Sequence, residues 1–155
     1  MKKKVSNSVR GKRSRAAGGR FELKVRQNLE EMGWIISKWM NTVDKDKSNI
    51  LRLMPAKRKY NPFLKALGVG TGFPDFIAFK KVEKFIDADG IEQDAGYEIR
   101  GVEVKSNGYL DKIEKDMCHW LLDNKIFSKI LIAKKSKDRG KVDYMDFSEK
   151  YVKKG

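Results

Sequence analysis

Two short segments rich in β-branched and aromatic residues, 75–82 (DFIAFKKV) and 97–105 (YEIRGVEVK), constrain the fold more than anything else in this chain. Both read as strands, and the acidic turn Asp87-Ala88-Asp89-Gly90 between them makes an antiparallel hairpin the economical pairing. Around this hairpin the pattern becomes helical. Phe21, Val25, Leu29 and Met32 recur at intervals of 4, 4 and 3 residues, which predicts an amphipathic helix over 19–32 ended by Gly33. Leu110, Ile113, Met117 and Leu121 predict a second helix over 111–124. Residues 34–40 read as a strand ahead of the hairpin, Ile130-Leu131-Ile132-Ala133 as a strand buried on both faces, and 142–147 as a weak edge strand. The expected order is α-β-β-β-α-β plus a final strand, an α/β chain with a mixed central sheet flanked by helices.

The length of 155 residues suits one domain. Residues 1–18 lack apolar periodicity and contain Gly11, Gly18 and several serines, so they are expected to be a disordered basic arm. Residues 19–155 then form a single domain, with a long basic insertion at 43–73 in which 62–67 is expected to make a helical turn or two. The net charge of +14 is unevenly placed. Residues 1–20 hold eight basic residues and no acid, 45–65 hold seven against one, and 83–98 hold one against six. Two basic segments flanking a folded core point to a polyanion, and nucleic acid is favoured because no basic amphipathic helix suggests a membrane surface. Arg10, Lys12, Arg13, Arg15, Arg20, Lys57, Arg58 and Lys59 are the expected phosphate contacts.

Several chemistries are excluded. No apolar run approaches a membrane span, so an intracellular site, cytoplasmic or nucleoid-associated, is expected. One cysteine cannot form an internal disulfide, and Cys118 with His119 cannot close a zinc site. There is no phosphate loop of the GxxxxGK[ST] type and no GxSxG turn.

What remains is a pair of carboxylates with a lysine. Pro74-Asp75 opens one strand of the hairpin and Glu103-Val104-Lys105 closes the other, so the three charged side chains meet at one end of the sheet. Alternation places Glu103 and Lys105 on one face. The acid-x-Lys pattern itself occurs three times, at 22–24, 103–105 and 123–125, but only the middle one lies in an apolar strand preceded by Pro-Asp. Oxygen ligands suit Mg²⁺, with Mn²⁺ as the other candidate: Asp75, Glu103 and the Val104 carbonyl can hold one ion against a scissile phosphate. Lys105 can orient or deprotonate the attacking water, or stabilise developing negative charge; both roles stay open.

Gly72-Phe73-Pro74-Asp75-Phe76-Ile77-Ala78 followed by Gly101-Val102-Glu103-Val104-Lys105-Ser106 resembles the PD-(D/E)xK nuclease superfamily. That superfamily's restriction-endonuclease-like core runs α-β-β-β-α-β. Gly18-Gly19-Arg20-Phe21-Glu22 with Leu29-Glu30-Glu31-Met32-Gly33-Trp34 resembles the first helix of archaeal Holliday-junction resolvases. Residues 67–75 and the helix from Leu110 to Leu121 are similar to VRR-NUC-type nucleases. The resemblance implies a Mg²⁺-dependent endodeoxyribonuclease of DNA recombination or repair, acting on branched or junction DNA as a homodimer. Asp75, Glu103 and Lys105 would be catalytic, and Glu22 a further catalytic acid and metal ligand. Two departures stand out: the basic insertion before Pro-Asp, and Lys112, Lys115 and Met117 where VRR-NUC proteins place a Gln. The alternatives are a sequence-specific restriction or homing-type endonuclease, and a non-catalytic nucleic-acid-binding module.

Overall fold

The computed structural model describes residues 6–68 and 70–151. In chain order the elements are α1 (Asn7–Glu31), β1 (Ile35–Lys38), β2 (Asn41–Lys45), β3 (Leu51–Pro55), β4 (Tyr60–Asn61), β5 (Ala66–Leu67), β6 (Phe76–Val82), β7 (Phe85–Ile86), β8 (Glu92–Gln93), β9 (Gly96–Val104), α2 (Lys112–Asp123), β10 (Lys129–Lys135), β11 (Val142–Asp146) and α3 (Phe147–Tyr151). Five strands form one mixed sheet in the order β1-β6-β9-β10-β11. Only the β9–β10 pair is parallel, and α2 makes the connection between these two strands. The hairpin is present as expected: Phe76 lies opposite Val102 and Val82 opposite Gly96, and β7–β8 carries it on to the acidic turn.

The sheet is covered on both faces. Phe21, Val25 and Leu29 of α1 pack with Ile36, Phe76, Ala78, Val102 and Ala133. On the other face Cys118 and Leu121 of α2 pack with Phe127, Ile130, Ile132 and Phe147. Neighbouring residues of one strand thus serve opposite cores, as Ile132 and Ala133 do. Each wholly buried Leu or Ile removed from water contributes about 2 kcal/mol, so both layers are needed to hold the sheet. Ile113, expected in the apolar stripe of α2, is 70% exposed instead; Cys118 and Leu121 carry the burial. Among the described residues no helix is long and apolar enough to cross a membrane.

Two expectations are corrected. The first helix is 25 residues long and not confined to 19–32, so the expected disordered arm is helical from Asn7 onward. Residues 1–5, which hold Lys2, Lys3 and Lys4, lie outside the described residues, as do Val69 and 152–155. Ser6 caps α1 by accepting from the Val9 N–H, and Ala, Lys and Arg are good helix formers. None of residues 7–20 is buried, so no apolar stripe marks them. Periodicity detects only the packed part of a helix.

The second correction concerns the insertion, which folds as two hairpins, β2–β3 and β4–β5. Val43 and Thr42 of β2 pack on α2, the Thr42 hydroxyl donating to Met117 Sδ at 3.6 Å. The expected helical turn at 62–67 is a hairpin turn. Asn61 Oδ1 accepts from the N–H groups of Phe63 at 2.9 Å and Leu64 at 3.2 Å, and Lys65 adopts a positive φ of 47°.

The insertion rejoins the sheet through tight backbone contacts. The Phe73 N–H donates to the Asn41 carbonyl and the Trp39 N–H to the Asp75 carbonyl, at 2.9 and 3.0 Å. A Cβ on Gly72 would lie 2.3 Å from the Trp39 carbonyl oxygen and 2.6 Å from that of Asn41. Gly72→Ala is therefore expected to cost about 2 kcal/mol or more of stability, read as a lowered denaturant midpoint, because backbone must move to admit the methyl group.

Candidate functional site

Backbone hydrogen bonds hold both carboxylates at one end of the sheet, Glu103 to the backbone of Asp75 and Asp75 to that of Val104. The Asp75 N–H donates to Glu103 Oε2 at 3.1 Å, and the Val104 N–H donates to Asp75 Oδ2 at 2.9 Å. The register of the hairpin brings them together, since Phe76 faces Val102 and the next residues out are Asp75 and Glu103. Gly101 makes this approach possible: a Cβ there would sit 2.8 Å from Cγ of the buried Pro74. Val104 enters the site through its N–H.

Glu103 is 6% exposed and is the one buried charged residue among those described. Burial, and after it the carboxylate of Asp75, pushes its pKa up to about 9, opposed by Lys105 and by the Asp75 N–H. Asp75 is also raised, chiefly by burial and further by Glu22, against the Val104 N–H, Lys38 and Lys105. Two carboxylates this close in a partly dry site disfavour the doubly ionised state.

Lys105 lies on the same face as Glu103, as alternation predicts, with Nζ 3.8 Å from Glu103 Oε1. It also makes a short ion pair with Glu114 of α2. Glu114 is held in turn by a capping box with Asp111: its N–H donates to Asp111 Oδ1 at 2.8 Å, and its Oε2 accepts from the Asp111 N–H at 2.9 Å. Burial works against the charged ammonium of Lys105. The Glu114 hydrogen bond and the charges of Glu103, Glu114 and Asp111 outweigh it and raise its pKa.

Glu22 does not join the other two acids directly. It comes from α1, whose neighbours Phe21 and Val25 pack on the sheet face opposite α2, whereas Glu103 and Lys105 are directed toward α2. Lys38, at the end of β1, spans the interval: its Nζ donates to Glu22 Oε2 at 3.1 Å and lies 3.7 Å from Asp75 Oδ1. Among the described residues no group of three or more His, Cys, Asp or Glu side chains is placed to hold a metal. The donor set still suits a hard divalent cation. The donors are all oxygen, burial and a neighbouring carboxylate raise the pKa of both Asp75 and Glu103, and the Lys38 ammonium supplies a positive charge between Glu22 and Asp75.

The basic residues expected to meet phosphates fall on two exposed segments and one cleft. Arg10, Lys12, Arg13 and Arg15 lie on the exposed first half of α1, and Lys57, Arg58 and Lys59 join β3 to β4. Lys57 is paired with Asp44 at 3.0 Å. Arg20 lines a cleft of about 370 Å³ with Lys24, Lys135, Arg139 and Lys141, over Phe21. Lys135 follows the segment of β10 beside Glu103 and Val104, so this cationic cleft opens at the carboxylate end of the sheet.

Sequence reasoning missed Lys38, Glu114 and the cleft. Lys38 was within reach, since alternation from the buried Ile36 puts it on the same face at the end of β1. So was Glu114, because Asp111-x-x-Glu114 is a capping-box pattern. The cleft had no such signal, because its residues come from both ends of the chain. Cys118 is buried, and burial raises its thiol pKa, while His119 packs edge-on to Phe147 with ring centroids 4.9 Å apart. Comparison of the chain with protein-family models, with curated proteins and with solved structures found no match.

Proposed function

We propose that the chain is a metal-dependent DNA endonuclease that hydrolyses phosphodiester bonds, with a restriction-endonuclease-like core and a preference for branched DNA. The observation that carries this reading is the meeting of the Asp75 and Glu103 carboxylates, held by the N–H groups of Val104 and Asp75, beside Lys105 at one end of the sheet. Asp75, Glu103 and the Val104 carbonyl would hold Mg²⁺ or Mn²⁺, with Glu22 in support through a shift of Lys38. When bound, such an ion lowers the pKa of water and offsets charge on the phosphate. Lys105, kept protonated by Glu114 and Glu103, meets the phosphate as a fixed positive charge. The basic half of α1 and the cleft of Arg20, Lys24 and Lys135 grip neighbouring phosphates and carry no base information. A homodimer would present two such sites to the paired strands of a junction.

The test is Mg²⁺-dependent cleavage of four-way junction, flap, single-stranded and plasmid DNA side by side. Junction cleavage that exceeds cleavage of the linear arms supports the reading, and no cleavage of any of them overturns it. If the basic surface neutralises about six phosphates, binding falls on the order of a thousandfold between 50 and 200 mM salt, measured by fluorescence anisotropy in EDTA. One observation favours a second reading, a non-catalytic nucleic-acid-binding module: Lys38 and Lys105 already pair with the acids, as in a structural ion-pair cluster. That module would show the salt dependence without the cleavage.

A further inference from the structure

The tip of the β4–β5 hairpin exposes the two most solvent-accessible large apolar side chains among the described residues, Phe63 at 95% and Leu64 at 75%. Tyr60 and Leu67, on the strands below, are 62% and 60% exposed. The turn is nevertheless held from within, by Asn61 Oδ1 accepting from both tip N–H groups. Its root is packed backbone against backbone. The Gly68 N–H donates to the Lys59 carbonyl at 2.8 Å, and a Cβ on Gly70 would lie 2.5 Å from the Lys57 carbonyl oxygen. The side chains at the tip thus stand on a built support, with nothing among the described residues covering them.

The surroundings select the occupant. Residues 47–74 hold six basic residues and no acid. Arg52 and Lys57 pair with Asp46 and Asp44, while Arg58, Lys59 and Lys65, which flank the tip, make no salt bridge among the described residues. A second copy of the chain would bring like charges together. Nucleic acid suits both features, since phosphates meet the cations and the gap between two bases accepts a thin apolar edge. The insertion also leaves the sheet just after Lys38 and returns at Asp75, so its root stands at the carboxylate site.

We infer that Phe63 and Leu64 form a wedge that enters the base stack of bound DNA and unstacks one step near the cut. This deepens the proposed function and rests on it only for the kind of partner. From Lys57 to the tip is six residues, a reach of about 20 Å, so the opened step lies within about six base steps of a phosphate held at the root of the hairpin. Unstacking is cheapest where stacking is already broken, so the wedge gives the protein a physical reason to prefer a branch point over a continuous duplex.

The test uses the full chain in EDTA, so that no cleavage intervenes, with 2-aminopurine placed in turn along the arms of a four-way junction and a linear duplex. Binding is followed by anisotropy. Wild-type protein is expected to raise the fluorescence severalfold at one or two positions beside the branch. Phe63→Ser/Leu64→Ser removes that rise and binds the junction about tenfold more weakly, whereas Phe63→Leu keeps both. Both side chains are exposed, so the double variant keeps its unfolding midpoint. Bound DNA that brightens at no position overturns the wedge, as does an equal rise with the double variant. Tip-dependent pelleting with phosphatidylserine vesicles, or tip-dependent dimers in sedimentation, without brightening overturns it in favour of a lipid surface or a second copy. Cleavage is scored separately with Mg²⁺. Brightening without cleavage leaves the wedge standing and removes the nuclease, and cleavage without brightening does the reverse.

Discussion

Asp75→Asn is expected to lower Mg²⁺-dependent cleavage by about a thousandfold or more while leaving DNA affinity in EDTA within a factor of a few. The size follows from the role proposed for Asp75, a charged group that would hold the ion against the phosphate in a largely buried site, where single interactions are worth two to three orders of magnitude or more. Asn preserves the fold because its carbonyl oxygen can still accept from the Val104 N–H, the bond that Asp75 Oδ2 makes at 2.9 Å. On the proposed function the affinity is kept because the phosphate grip would come from Arg20, Lys24, Lys135 and the basic half of α1. Single-turnover cleavage with excess protein reads the first quantity and anisotropy the second. Undiminished cleavage by the Asn variant would falsify the assignment of Asp75.

Glu103→Gln is expected to abolish cleavage and to stabilise the protein when divalent cations are chelated. Glu103 ionises near 4.5 in an unfolded chain and near 9 in the fold, where burial and Asp75 oppose its charge. Between those values the unfolded state has released a proton that the folded state keeps. This contribution to stability is therefore complete below about pH 4.5 and is lost as pH rises toward 9. One such proton gives a slope of about 1.4 kcal/mol per pH unit, or about 3 kcal/mol from pH 6 to 8. Gln has no proton to hold, and its carbonyl can still accept from the Asp75 N–H. Urea titrations in EDTA from pH 6 to 9 should show the wild type losing stability relative to Glu103→Gln, with the gap widening as pH rises. Added Mg²⁺ should narrow it, since a cation offsets the second negative charge. Parallel profiles would remove the buried, charge-strained role assigned to Glu103.

Much of the site was legible along the chain. Alternation alone put Glu103 and Lys105 on one face, and a hairpin placed Asp75 beside them; the observed register, with Phe76 facing Val102, agrees. The strongly periodic elements were also readable, because an apolar stripe reports the face that a helix or strand buries. The exposed half of α1 and the β4–β5 hairpin carry no such stripe. Both hold themselves by local means, the Ser6 cap and the Asn61 turn, which leave only faint traces in composition.

The sequence by itself therefore determined the order of the packed elements and the meeting of Asp75, Glu103 and Lys105 at one sheet end, since neighbour alternation and strand pairing are properties of the backbone. Only the tertiary structure decided the rest. Stacking α1 and α2 on opposite faces set Glu22 apart from Glu103, made Lys38 the link between Glu22 and Asp75, and gave Lys105 its second partner in Glu114. The depth of burial that drives Glu103 up to about 9 belongs to the same level, because it depends on how the layers close over the sheet and not on any residue's neighbours in sequence.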